Sequence, residues 1–208
     1  MTDIRHIFFD IGGVLGSNGW DSAQRRRAVD KFGLDAAAFQ SRHEQMAGPL
    51  ETGEVTLDEY LDVVVFCAPR EYSPSEFKSF MFSQSEPNLE TIAIAREIAA
   101  GCKYWVMTLN NESDELNRHR IKAFGLDDIF DAYLSSCWLG LRKPSHRFYV
   151  RALQIAQADP RASVFIDDRE HNVVAANAMG MHTIHYTPAS RLRDELAAFG
   201  ISLESGKL

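Results

Sequence analysis

Short apolar strands that alternate with helix-length segments are the feature that most constrains the fold of this chain. Runs of bulky residues, each too short for a helix, occupy residues 4–10, 102–108, 163–167 and 182–186. Helical periodicity covers residues 89–100, 112–124 and 146–157. Strands without a polar face are typical of parallel sheets that helices cover on both sides. The pattern therefore predicts right-handed βαβ units and a doubly wound, Rossmann-like α/β core.

One long segment interrupts this alternation. From about residue 21 to residue 82 only helical periodicity is found, and it predicts helices at residues 23–32, 35–46, 56–67 and 74–82. Thr56 and Glu59 form the Thr-x-x-Glu pattern of a capping box. A core of this kind needs well under the 208 residues of the chain, which leaves about 60 to 70 residues for an insertion. We predict an all-helical insertion over residues 17–85, joined by short hinges to a core formed by residues 1–16 and 86–208.

Charge and apolar content exclude several kinds of partner. Lys and Arg number 22 against 29 Asp and Glu, a formal net charge of −7, and the longest basic run is Arg25–Arg27. Because nucleic-acid surfaces bind mainly by neutralising phosphates, no nucleic-acid partner is expected. The longest apolar run, Val63–Ala68, is far short of the roughly 20 residues that span a bilayer, and no apolar signal segment follows Met1. We expect a cytoplasmic protein without a membrane partner.

The cysteines point to the same compartment. Cys67, Cys102 and Cys137 are odd in number, widely spaced and surrounded by apolar residues. That pattern fits neither a disulfide framework nor a zinc site, so we expect reduced thiols in the core.

Polar residues follow three of the predicted strands at the point where each strand ends. The first is followed by Asp10-Ile11-Gly12-Gly13, the second ends in Thr108-Leu109-Asn110-Asn111, and the third ends in Asp167-Asp168. The carboxyl ends of parallel strands meet at one edge of a sheet, where ligands bind. Converging carboxylates need a cation, and hard oxygen ligands indicate Mg²⁺. Lys143, just before a predicted helix, could neutralise an anion held beside the metal.

This set of groups is typical of phosphoryl transfer. A hydroxyl, amides, a lysine and a magnesium site supply positioning and charge neutralisation, which is most of what that chemistry needs. A further carboxylate can act as the nucleophile, because an aspartyl-phosphate intermediate divides one difficult hydrolysis into two easier steps.

Together these segments carry a family resemblance. Residues 8–15 (Phe-Phe-Asp-Ile-Gly-Gly-Val-Leu), 108–111, 141–144 (Leu-Arg-Lys-Pro) and 165–168 resemble, in order, the four motifs of the haloacid dehalogenase-like (HAD) hydrolase superfamily. The resemblance spans nearly the whole chain and implies a Rossmann-like core in which the helical insertion is a small cap. The Asp-x-Gly-Gly-Val-Leu opening is similar to that of a subgroup of small-molecule phosphatases, which includes sugar-phosphate phosphatases.

The resemblance also implies roles for individual residues. It makes Asp10 the nucleophile and a magnesium ligand, Thr108 a donor to the transferring phosphoryl group, and Lys143 the partner of both Asp10 and the phosphate charge. The remaining metal ligands would be the Gly12 carbonyl, Asp168 directly, and Asp167 directly or through water. Substrate contacts would come from Gly12, Gly13, Asn110 and Asn111. Asn110 takes the place of Thr108 if the motif is aligned two residues further on.

Gly12 departs from the family pattern, because typical phosphatases have a second Asp at this position that protonates the leaving group. A positioned general acid is usually worth about 10²–10⁴-fold in rate. Three explanations are open: the substrate has a good leaving group, a residue of the insertion such as His43 or Glu44 supplies the proton, or the enzyme is slow or silent.

Three classes of function compete at this stage. The first is a Mg²⁺-dependent phosphohydrolase that acts on a small phosphorylated metabolite, for example a sugar phosphate. The second is a metal-independent 2-haloacid dehalogenase, which also uses an Asp nucleophile. The third is a catalytically silent binding protein of the HAD fold. The sequence leaves open whether the insertion forms a homodimer, although no heptad pattern supports one.

Overall fold

The computed structural model of the chain describes residues 3–201 and residue 203. In this part of the chain a five-stranded parallel sheet has the order β3-β2-β1-β4-β5. The strands are β1 His6–Phe9, β2 Trp105–Asn110, β3 Ala132–Ser135, β4 Ser163–Asp167 and β5 His182–His185. The predicted doubly wound α/β core is confirmed.

Helices fill the segments between the strands. Those of the insertion are α1 Ser22–Phe32, α2 Ala36–Glu51, α3 Leu57–Val64 and α4 Pro74–Ser83. Those of the core are α5 Leu89–Ala100, α6 Asp114–Ala123, α7 Ser136–Leu139, α8 His146–Ala156, α9 Glu170–Ala178 and α10 Leu192–Ala198.

The central strands are buried on both faces, as their apolar sequences predict. Phe8 and Phe165 pack on one face of the sheet with residues of α8 such as Phe148. Phe9 and Ile166 pack on the other face, in the apolar cluster that also contains residues of α5. Each fully buried side chain of this size contributes about 1.5–3 kcal/mol, so β1 and β4 are held firmly at the centre of the sheet.

Some boundaries and one strand differ from the sequence predictions. The second strand begins at Trp105 rather than Cys102, because Cys102 has a φ of 50° and such a left-handed residue cannot continue a strand. The edge strand β3 has no predicted counterpart, since it is only four residues long and half of it is partly exposed. The cysteine prediction is wrong in its location: Cys67 and Cys102 are exposed and Cys137 is half-buried, although the three thiols are free.

The insertion has its own apolar cluster, which includes Trp20, Phe39, Tyr60 and Phe77. The predicted capping box at the start of α3 is present, with the Thr56 hydroxyl accepting from the Glu59 amide. α2 continues past its predicted end to Glu51.

The two segments that lead into and out of the insertion lie side by side. The Ser17 amide donates to the Glu86 carbonyl at 2.8 Å. The division at residues 17 and 85 stays a prediction, and residues 1–2, 202 and 204–208 of the predicted core lie outside the described residues.

No described helix combines the length and the apolar character that crossing a membrane would require.

Candidate active site

The register of the central strands brings two of the predicted carboxylates together. Phe9 of β1 pairs with Ile166 of β4, so Asp10 and Asp167 follow at the same level of the sheet. The Asp10 amide donates to the Ile166 carbonyl at 2.9 Å and continues this pairing. Asp168 comes next in the chain, and ligand oxygens of Asp10, Asp167 and Asp168 all lie within 4.8 Å of one another. The parallel sheet thus produces the carboxylate cluster that the strand ends predict.

Lys143 lies at the centre of this cluster. Its Nζ is 2.6 Å from Asp167 Oδ2 and 3.0 Å from Asp10 Oδ2, and its side chain is 1% exposed. Asn111 holds the Lys143 backbone: its Oδ1 accepts from the Lys143 amide at 2.9 Å, and its Nδ2 donates to the Lys143 carbonyl at 3.0 Å. One amide side chain therefore sets the position of the ammonium group.

The electrostatics of the cluster are those of three carboxylates around one buried ammonium group. Burial raises the pKa of Asp10 well above its ordinary range; the Lys143 ammonium opposes this shift and the Asp167 carboxylate adds to it. Burial by itself would lower the pKa of Lys143, but Asp10 and Asp167 outweigh it and raise that pKa. Negative charge is therefore in excess here, and a cation would relieve it.

The two acids at the end of β4 have different environments. Asp167 is fully buried and both its oxygens are occupied, by Lys143, by the Arg169 amide and by Asn172 Nδ2. Asp168 Oδ2 is 3.2 Å from Arg169 Nε, whereas its Oδ1 is buried and has no partner among the described residues. This oxygen is therefore free to accept a bond from a ligand of the cavity.

Two adjacent glycines lie beside the cluster, and the structure requires glycine at only one of the two positions. Gly13 has a φ of +75°, and a Cβ there would lie 2.3 Å from Asp168 Cγ. Only glycine fits this position. At Gly12, a Cβ would find its nearest neighbours 3.7 Å away, at Asn18 and Gly19. Since that is ordinary contact distance, the surroundings of position 12 have room for a side chain. Glycine at this position therefore changes the chemistry of the site and is not a steric requirement.

Two cavities meet at this edge of the sheet. The first, which we call the carboxylate cavity, has a volume of about 240 Å³ and is lined by Asp10, Gly12, Asn111, Lys143 and Asp168, among others. The second, which we call the adjoining cavity, has a volume of about 510 Å³ and is lined by residues of the insertion, such as Arg25 and His43, and by Glu112 of the core. Asn18, Gly19, Glu51 and Arg169 line both cavities.

The structure does not bring every predicted site residue to the carboxylate cavity. Thr108 lies two residues after Val106 on the same strand, so its side chain enters the same apolar face of the sheet. Its hydroxyl is buried there without a hydrogen-bond partner in the described part of the chain. Asn110 is also buried, and it bonds Asn117 and Ser135 at 2.9 and 2.8 Å. Of the predicted second motif, only Asn111 lines the cavity.

The Gly13 amide is not available for the substrate contact predicted for this residue, because it donates to the Gly16 carbonyl at 2.8 Å.

Sequence reasoning missed Asn172 and Arg169, which both lie close to the acidic pair in the sequence. Asn172 comes four residues after Asp168, in the first turn of a helix that begins directly behind the acidic pair. From there Asn172 Nδ2 donates to the two oxygens of Asp167 at 3.0 and 3.1 Å.

Fold and site together define an α/β protein whose reactive groups lie at the carboxyl ends of its central parallel strands. Residues 4–180 match the model of the haloacid dehalogenase-like hydrolase family. The chain belongs to this family, as its four motifs predict.

Several characterised proteins resemble parts of the chain. Flavin mononucleotide hydrolase 1 of Arabidopsis thaliana is 37% identical over 81 residues, 37% of this chain and 33% of that protein. A sesquiterpene phosphatase of Aspergillus oryzae is 38% identical over 60 residues, 29% of this chain and 31% of that protein. Bifunctional epoxide hydrolase 2 of Sus scrofa is 24% identical over 200 residues, 87% of this chain and 36% of that protein. The chain spans about a third of the length of these curated relatives.

Solved structures share the fold over almost the whole chain. A HAD family enzyme from Bacteroides thetaiotaomicron, in complex with magnesium and inorganic phosphate, aligns with a TM-score of 0.76 at 21% identity, over 92% of this chain and 98% of that chain. A dehalogenase aligns with a TM-score of 0.64 at 21% identity, over 92% of this chain and 88% of that chain. At these identities the similarity is one of fold.

Proposed function

We propose that the chain is a Mg²⁺-dependent phosphohydrolase that acts on a small phosphorylated metabolite through an aspartyl-phosphate on Asp10. One observation carries the proposal. Asp10 shares its cavity with the Lys143 ammonium and with an unpartnered oxygen of Asp168, so a nucleophile, a fixed cation and a vacant ligand position occur together. The magnesium and phosphate complex of the B. thetaiotaomicron enzyme supports it by family membership.

The residues present fit a magnesium ion. Asp10, Asp168 and the Gly12 carbonyl are hard oxygen ligands of the kind that Mg²⁺ prefers, and Asp168 Oδ1 is the oxygen that lacks a partner. Asp167 is occupied by protein donors, so we assign it the water-mediated role. When bound, Mg²⁺ would neutralise the excess carboxylate charge and polarise the phosphoryl oxygens.

Each remaining role follows from the contacts of this chain. Asp10 is the nucleophile, because it lines the cavity and its Oδ1 is oriented by the Ile11 amide at 2.8 Å. Lys143 holds Asp10 and the charge of the transferring phosphoryl group, and Asn111 positions Lys143. Thr108 and Asn110 do not line the carboxylate cavity, so we assign the donor role predicted for them to Lys143.

The size of the substrate follows from the two cavities. The carboxylate cavity, at about 240 Å³, accommodates a phosphoryl group, and the adjoining cavity, at about 510 Å³, accommodates the rest of a small molecule. Because residues of α1 and α2 line the adjoining cavity, the insertion would act as the cap that selects the substrate.

The test measures phosphate release from a panel of phosphomonoesters, with Mg²⁺ and with a chelator. Turnover is expected only with metal, and Asp10→Asn should reduce it by at least about 10³-fold because the nucleophile is lost. Asp114→Asn, which changes a partly exposed acid of α6 outside both cavities, is the control. Turnover that survives in Asp10→Asn, or turnover of no substrate at all, contradicts the proposal.

Two other functions remain as outcomes of this experiment. Because of Gly12 the site lacks the usual second acid, and 2-haloacid dehalogenases lack it as well. Halide release from 2-haloacids in the presence of a chelator would replace our proposal with that activity. Binding of Mg²⁺ and inorganic phosphate without turnover would indicate a catalytically silent binding protein. The oligomeric state and the compartment stay predictions.

A further inference from the structure

The proposed phosphohydrolase needs a group that can give a proton to its leaving group, and Gly12 has no side chain to do so. A side chain at Gly12 would point at Asn18 and at the Gly19 amide, each 3.7 Å from its Cβ. An amide side chain such as that of Asn18 does not exchange protons near neutral pH. A residue that replaces the missing acid would have to reach this boundary between the two cavities.

Glu112 reaches it. A Cβ on Gly19 would lie 1.9 Å from Glu112 Oε2, so the carboxylate packs directly on the Gly19 backbone. Gly19 in turn faces Gly12 and lines both cavities, while Glu112 lines the adjoining cavity. The loop that carries Glu112 begins at Asn111, the residue that holds Lys143, and its backbone is anchored by the Ser136 hydroxyl at 3.0 Å. The carboxylate is thus placed next to the gap by a fixed backbone.

His43 also lines the adjoining cavity, but its surroundings favour the neutral imidazole. Trp20 Nε1 can only donate, and it donates to the Tyr60 hydroxyl oxygen at 2.9 Å. The same hydroxyl lies 2.8 Å from His43 Nδ1. Burial and the Arg25 charge lower the pKa of His43 to about 4, so near neutral pH it is not the charged acid that a leaving group would need.

The remaining carboxylates of the region are less suitable. Glu51 is held by Arg142 at 2.8 Å on a partly exposed surface. Glu44 is exposed and lines neither cavity. Glu112 differs from both because it is buried.

The charges around Glu112 allow it to hold a proton near neutral pH. Burial raises its pKa to about 6; the Arg120 guanidinium at 3.2 Å and the Ser113 amide lower it, and Glu51 of α2 raises it. Cys137 of α7 also faces it, and burial raises the pKa of this thiol, so that it is neutral. Both protonation states of Glu112 are accessible, which is what a group that first gives and then takes a proton requires.

We propose that Glu112 is the general acid and base of the reaction, in the place of the second Asp that Gly12 lacks. As the Asp10–phosphorus bond forms and the ester P–O bond breaks, the Glu112 carboxyl gives its proton to the departing alkoxide, which leaves as an alcohol. The Glu112 carboxylate then takes a proton from water while the water oxygen bonds to phosphorus and the Asp10–phosphorus bond breaks. Inorganic phosphate leaves, and Glu112 is again protonated. This proposal rests on the proposed function.

The experiment compares two substrates of different leaving group in wild type and in Glu112→Gln. An unactivated alkyl phosphate needs the proton, whereas 4-nitrophenyl phosphate does not. The measured quantity is kcat/KM, which reports the transfer to Asp10. For the alkyl phosphate it should fall about 10²–10⁴-fold, and for 4-nitrophenyl phosphate by no more than a few-fold. Glu44→Gln is the matched control and should change neither value.

Equal losses with both substrates would show that Glu112 has only a structural role and would overturn the proposal. Failure of wild type to hydrolyse any phosphomonoester, 4-nitrophenyl phosphate included, would instead contradict the proposed phosphatase function. The two failures are therefore distinguishable.

Two further measurements support the comparison, and the first of them does not depend on the folding of Glu112→Gln, which removes the ion-pair partner of Arg120. In wild type, kcat/KM for the alkyl phosphate should fall as the pH rises above about 6, while kcat/KM for 4-nitrophenyl phosphate lacks this change. Superimposable profiles would overturn the proposal. Gly12→Asp in the Glu112→Gln background should restore alkyl phosphate hydrolysis, because position 12 has space for the side chain; a folded double variant without recovery counts against the proposal.

Discussion

The two cavities that meet at Gly19 differ in their charge balance. In the carboxylate cavity three acids surround one buried lysine, and Asp168 Oδ1 has no partner in the described part of the chain. Two acids that line the adjoining cavity have basic partners: Glu112 pairs with Arg120, and Glu51 pairs with Arg142. The first cavity therefore carries an excess of negative charge, whereas these two acids of the second cavity are balanced by arginines. This difference suits a site that binds metal and phosphoryl group on one side and a neutral leaving group on the other.

The largest expected effect comes from removing the one buried cation of the carboxylate cavity. Lys143→Met leaves buried carboxylates without compensation and should lower the free energy of unfolding by about 3–5 kcal/mol. Arg142→Met, at the partly exposed pair of the adjoining cavity, is the matched control and should cost about 0–1 kcal/mol. Urea titrations in a chelator measure both. Similar losses in the two variants would remove the contrast between the cavities.

Magnesium should stabilise the protein through the carboxylate cavity alone. A metal concentration 100-fold above the dissociation constant adds about 2.7 kcal/mol to the free energy of unfolding. Thermal unfolding should show this as a rise in Tm, which Asp168→Asn loses and Glu112→Gln keeps, since Asp168 offers a buried carboxylate oxygen without a partner in the described part of the chain, whereas Glu112 is paired with Arg120. An undiminished rise in Asp168→Asn would place the metal elsewhere.

The two glycines sharpen the boundary of the carboxylate cavity. Gly13→Ala forces a side chain onto Asp168 at a positive φ, and it should cost about 1–3 kcal/mol and weaken metal binding. Gly12→Ala meets only ordinary contacts, and its stability should stay within about 0.5 kcal/mol of wild type. Chemical denaturation and magnesium titration measure both variants. Equal stability of the two would show that the Gly13 contact with Asp168 relaxes freely.

A pH-dependent effect concerns His43 in the adjoining cavity. Its folded pKa of about 4 lies below its ordinary value of 6.5, so the unfolded chain binds more protons between these pH values. This contribution to stability is complete above pH 6.5 and is lost as the pH falls towards 4. His43→Gln should remove it, seen as a smaller loss of unfolding free energy between pH 6.5 and 4 than in wild type. Identical pH dependence in both proteins would contradict the neutral state of His43.

The fold was largely predictable because its signals are local. Buried strands, helical periodicity and the capping box at Thr56 depend on residues that are neighbours in sequence. The edge strand Ala132–Ser135 escaped prediction because its four residues become a strand only by pairing with β2. The cysteines were misplaced for a related reason: apolar neighbours in sequence do not determine which side of a helix or turn faces solvent.

The sequence by itself determined which groups meet at the edge of the sheet. The order of strand ends in a parallel sheet is enough to bring Asp10, Asp167 and Asp168 together, and a match over residues 4–180 confirms the family that these motifs indicate. Only the tertiary structure decided what each group can do there. The two-residue period of β2 turns Thr108 away from the cavity. The contacts of Glu112 with Gly19 and of His43 with Tyr60 join residues far apart in the chain, and no local pattern encodes them.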